Sequence, residues 1–114
     1  MSIEYYLNQG YTPLTRVTIL NGITTAAVWT PKARHTVRVT NAAISANNAG
    51  TIAFYWSGDD TRVAEFLFAG SANISPVIGV WEGTLIANSL VAKLGASATD
   101  GVRINLTGFE IPQS

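Results

Sequence analysis

The sequence has no cysteine, a single histidine and little charge. Without cysteine there can be neither a disulfide framework nor a thiolate metal site, so nothing of that kind fixes a redox compartment. Lysine plus arginine number 7 and aspartate plus glutamate number 7 in 114 residues, 12% of the chain, which is about half the share of an ordinary soluble domain. Charge so sparse and balanced generates no long-range field, which argues against nucleic acid and against an anionic membrane as partners. No stretch approaches the ~18 apolar residues of a membrane helix. The segment MSIEYYLN lacks the cationic start and apolar stretch of a secretion signal. A chain made and used in soluble form is the expectation.

What is present is a regular series of short apolar runs separated by turn residues, the pattern of an all-β sandwich or barrel. VRINLTGFEI alternates with Val102, Ile104 and Leu106 on one side and Arg103, Asn105 and Thr107 on the other. Gly108 reads as a bulge that resets the phase, so that Phe109 and Ile111 continue inward and Glu110 turns out. NSLVAKL places Leu90, Ala92 and Leu94 inward, and RVTIL places Val17 and Ile19 inward. HTVRVTNAAISA begins with Val37 and Val39 inward, then slips near Asn41 so that Ala42, Ile44 and Ala46 follow. NNAG at 47 to 50 is a turn into TIAFYW. TAAVW and VIGVWEG supply two weaker strands, and the four prolines fall between or outside the runs. About eight strands result. Two antiparallel sheets of four, a jelly roll, fit best, with an immunoglobulin-like sandwich as the alternative. Residues 15–114 form this sandwich. Residues 1–14, with Tyr5, Tyr6 and Tyr11 among polar residues, read as an extended N-terminal arm whose aromatics either fold back on the sandwich or dock on a neighbour.

Three groups of residues invite a chemical reading. SGDDT holds Asp59 and Asp60, and Gly-Asp-Asp resembles the metal-binding tripeptide of viral RNA polymerases. It also sits between two strands whose phases match across a hairpin, with Trp56 opposite Arg62, Phe54 opposite Ala64 and Ile52 opposite Phe66. A five-residue loop follows, and no catalytic or metal residue is assigned there. PKARHTVRV gathers Lys32, Arg34, His35 and Arg38 into a patch suited to an acidic partner, or else a charged strand edge. Trp29, Trp56 and Trp81 could stack on sugars, the basis of a glycan-binding alternative, although tryptophan in a small sandwich is more often core. One histidine outside any nucleophile motif gives no triad. No catalytic residue, cofactor or metal is expected.

The hairpin of residues 51 to 68 is apolar on both sides. With Ile52, Phe54, Trp56, Ala64, Phe66 and Phe68 inward, Tyr55, Val63 and Leu67 are left on the outer face, joined by Val91 and Trp81. An apolar outer face calls for another subunit. In strand spacing and texture over residues 35 to 111, ending in VRINLTGFEI, the chain resembles the jelly-roll capsid decoration, or cement, proteins of tailed bacteriophages. That resemblance implies a structural virion protein assembled in the host cytoplasm, a homotrimer in contact with the major capsid protein, with Tyr5, Tyr6 and Tyr11 on an arm that meets a neighbour. The other reading is a glycan-binding β-sandwich module of a phage tail or receptor-binding protein.

Overall fold

The computed structural model describes residues 3–21, 25–58, 61–76, 78–83, 88–95 and 101–112. Among the described residues a short helix, α1 (Ile3–Asn8), precedes nine strands: β1 (Leu14–Leu20), β2 (Thr25–Trp29), β3 (His35–Ala46), β4 (Gly50–Trp56), β5 (Thr61–Phe68), β6 (Ala72–Ile74), β7 (Trp81–Glu82), β8 (Leu90–Leu94) and β9 (Val102–Pro112). One sheet runs β1-β9-β3-β6, with β7 also on β3; the other runs β2-β8-β4-β5. Every pairing is antiparallel. The chain passes back and forth between the two sheets, and its last strand lies between the first and third, the wrapping of a jelly roll. The sequence reading of an all-β two-sheet sandwich holds.

The core lies between the sheets. Ile44, Ile104 and Leu106 from one face meet Ile52, Phe54 and Leu90 from the other, all at most 1% exposed. Alternation places β8 as its pattern implies, with Leu90, Ala92 and Leu94 buried and Val91 and Lys93 half-exposed. On β3 the expected slip is present: the register against β9 shifts between Val39 and Asn41.

Two faces differ from expectation. Gly108 does not reset β9, because the extra residue lies on β3 instead. Residues 102 to 110 keep one phase, and Glu110 is paired with the core residue Val37, on the inner side. Phe109 pairs with Arg38 on the outer face. Gly108 is still required, since a Cβ there would collide with the Arg38 carbonyl that the β3 bulge pushes toward it. β1 is reversed as well. Arg16, Thr18 and Leu20 align with Leu106, Ile104 and Val102 and so face inward, leaving Val17 and Ile19 outside. The N-terminal segment is not wholly extended, because Ile3–Asn8 is helical and Tyr6 lies on Phe109 with ring centroids 5.0 Å apart. An outward Phe109 gives this fold-back an apolar seat, and with Tyr6 stacked on it both rings are buried.

Candidate functional site

No catalytic constellation was expected, so the surfaces of the sandwich are the candidates. On the outer face of the β4–β5 pair, Tyr55 is half-buried and its neighbours are cations. The Lys93 ammonium lies 4.3 Å from the ring centroid. Arg62 donates to the phenol oxygen from Nε and Nη2 at 3.1 and 2.9 Å, and also approaches Glu65 at 3.7 Å. The Tyr55 hydroxyl, followed by Glu65, holds the guanidinium further toward its charged form. Leu67, opposite Thr51, is 79% exposed. Val91 is half-buried opposite Tyr55.

Two members of the expected interface are not on this face. Val63 is the extra residue of a bulge: the register shifts between Phe54 and Tyr55, so Tyr55 faces Arg62 and Trp56 faces Thr61, and Val63 packs on the core. The strands are thus joined by residues 57–60, one fewer than expected. Trp81 is buried, its ring 5.0 Å from Phe54 and 6.3 Å from Phe66. Trp29 and Trp56 are core residues too. With all three indoles inside, stacking of a sugar on surface tryptophan has no platform here, which corrects the basis of the glycan alternative.

The basic segment is divided. Lys32 and Arg34 are exposed, and Arg34 adopts a left-handed backbone with φ 64°. His35 is half-buried, its Nδ1 2.7 Å from the Ala33 carbonyl. Arg38 is corrected out of the patch: its Nη1 donates to the Gly83 carbonyl at 2.7 Å and to the Thr36 hydroxyl at 2.9 Å, tying β3 to the loop after β7. Of the arm aromatics, Tyr6 is buried and Tyr11 half-buried, its N–H donating to the Tyr6 carbonyl at 3.1 Å. The Tyr5 side chain lies outside the described residues, as do Asp59 and Asp60.

Sequence reasoning missed a polar cluster between the sheets. The Glu110 side chain is 5% exposed. Its Oε2 accepts from Trp29 Nε1 at 2.9 Å and from Arg16 Nη2 at 3.3 Å, while Oε1 accepts from the Lys32 backbone N–H at 3.1 Å. Burial alone would push this carboxyl up. The Trp29 and Lys32 donors, with the charges of Arg16 and Lys32, outweigh that and hold it below its ordinary value. Arg16 completes the cluster by lying 5.1 Å from the Trp29 ring centroid. A second miss is the pair Val17 and Ile19, which stand 59% and 56% exposed on β1.

A shallow groove of about 440 Å³ lies on the outer face of β3 and β9, lined by Asn41, Ala43, Asn105, Thr107, Ser75 and Pro76. It occupies the gap where the lane beside β3 is broken between β6 and β7.

No protein family matches the chain by sequence, and no curated protein does. Solved structures align with it in three dimensions. The Drosophila NLP core, from a crystal structure described as giving insight into pentamer formation and histone binding, aligns with a TM-score of 0.56 and 13% identity, over 90% of this chain and 100% of that one. A chain of the cyanophage Pam1 capsid asymmetric unit aligns over 86% of this chain and 83% of that one, at a TM-score of 0.49 and 16% identity. The virus-like particle of the giant freshwater prawn Macrobrachium rosenbergii extra small virus aligns over 92% and 82%, at 0.43 and 9%. At 13% identity the alignment with the Drosophila NLP core shows a likeness of fold alone.

Proposed function

We propose that the chain is a non-enzymatic structural subunit that works as a homo-oligomer, and that it decorates the capsid of a bacteriophage. The observation that carries the reading is Leu67, a large apolar side chain 79% exposed on a face it shares with Tyr55 and Val91. A side chain so placed adds nothing to its own core, and covering it with a second subunit removes its apolar surface from water. Tyr55 contributes a rigid aromatic already dressed with cations, the kind of residue that anchors interfaces.

The virion setting, the trimer and the major capsid protein as partner come from the likeness of the sequence to decoration proteins. Lys32, Arg34 and His35 form the surface that meets an acidic stretch of the capsid, and Tyr11 extends contact from the N-terminal segment. Assembly takes place in the host cytoplasm. The Drosophila NLP core, whose crystal structure is described as giving insight into pentamer formation, offers a precedent for a chain of this fold self-associating, so five subunits is the competing number.

Light scattering on the purified chain tests the reading, with three subunits expected. Leu67→Lys should lower the mass while the circular dichroism spectrum stays unchanged. A wild type that is monomeric at all concentrations would overturn self-association. Purified particles of the virus encoding the chain that lack it would overturn the decoration role.

A further inference from the structure

Two sheets have four edges, and three of them here are blunted. Beside β3, the edge lane is broken into β6 and β7, three and two residues long. β5 carries the Val63 bulge and the charged pair Arg62 and Glu65. β2 has five residues and a register shift between Ala27 and Trp29. Short strands, bulges and charges are the devices that keep edges from pairing with other chains.

The fourth edge, β1, has none of these. It runs seven residues without proline, in unbroken register with β9, its one strand partner among the described residues. Its single charge, Arg16, faces inward and is held by Glu110 and Trp29. Its outer row reads Thr15, Val17, Ile19, all exposed.

We propose that β1 pairs antiparallel with β1 of a second copy, about a twofold axis at Thr18, so that one sheet runs through both subunits. In that register Val17 of each copy faces Ile19 of the other on the same outer side, and Thr18 faces Thr18. Arg16 faces Leu20, so no like charges are opposed. The row is therefore complementary to itself, in shape and in charge, as an isologous contact requires. It carries no outward charge that would select a different partner. About an axis at Thr18 the strands overlap over residues 16–20, five positions of each copy, an edge of about 17 Å. Pairing along such an edge buries less than the ~800 Å² per partner of a standard interface. The contact is accordingly reversible and dependent on concentration.

This contact is separate from the one built on Leu67, which lies on the other sheet, so it is tested in the Leu67→Lys background by sedimentation velocity. The expected result is a monomer–dimer equilibrium in that background. Adding Val17→Lys with Ile19→Lys sets lysines against each other and raises the dimer Kd at least about tenfold. Val17→Lys with Ile19→Glu restores the dimer, because each lysine then faces a glutamate. A Leu67→Lys chain that is monomeric at every concentration overturns the proposal, as does a dimer indifferent to the lysine pair or a lysine–glutamate variant that stays monomeric. Should the lysine pair impair folding, hydrogen exchange on the otherwise unaltered Leu67→Lys chain decides: β1 amide protection that rises with protein concentration supports the pairing, and protection independent of concentration overturns it.

Discussion

Arg16 and Glu110 occupy inward positions that hydropathy assigns to the outside, and each is tolerable only because of the other. A buried carboxylate costs several kcal/mol unless paired and hydrogen-bonded, and Glu110 receives an indole N–H, a backbone N–H and a guanidinium. Truncation leaves the Trp29 N–H unsatisfied in the core. Glu110→Ala should therefore lower stability by about 1–3 kcal/mol, read from chemical denaturation. The same cluster sets a pH dependence. Because the folded pKa lies below the ordinary 4.5, the stabilisation is fully present above that value and is lost as pH falls through the folded value. Glu110→Gln keeps an acceptor for Trp29 but removes the charge, so its stability should lack this component of the acid decline. Thermal melts from pH 6 to about pH 3 compare the two; parallel curves would refute the assignment.

Whole elements follow from that pair. With Arg16 inward, β1 turns Val17 and Ile19 to solvent, and with Glu110 inward, β9 turns Phe109 outward and gives Tyr6 a seat. Strand content, the sandwich and the faces of β3, β4 and β8 were legible because alternation there obeys burial. β1 and the end of β9 were not, since a sequence does not show which two charges cancel 94 positions apart. The hairpin register failed for a related reason: pairing Phe54 with Ala64 was right, but the Val63 bulge is invisible to alternation. Gly108 did signal a bulge, although on the neighbouring strand. Gly108→Ala should then destabilise by about 1–3 kcal/mol, because Arg38 and Val39 crowd the position and both sides of β9 are already paired. A stability equal to wild type would show that β3 can yield there. Removal of residues 1–13 tests α1 by the same logic. Tyr6 and Phe109 lie outside the main core cluster, so the truncated sandwich should still unfold cooperatively, with a loss that includes about 0.5–1.5 kcal/mol for the ring pair. A chain without a cooperative melt would place α1 in the folding core.

At the scale of the molecule, the large apolar side chains most exposed among the described residues of the strands sit on both sheets: Leu67 on one, Val17 and Ile19 on the other. Since all three point away from the core, charges placed there leave the isolated sandwich nearly as stable as before, within about 0.5 kcal/mol. Their effect should appear only through assembly. A protein whose native state associates gains stability by mass action, so its melting temperature rises with concentration. The wild type should show that rise. Leu67→Lys should keep a weaker rise carried by β1, and Leu67→Lys combined with Val17→Lys and Ile19→Lys should melt at one temperature across a hundredfold range of concentration. Scanning calorimetry makes the comparison. If the combined variant melts much lower than wild type even at high dilution, the substituted side chains stabilise the single sandwich itself, and the assignment of these two faces to assembly fails.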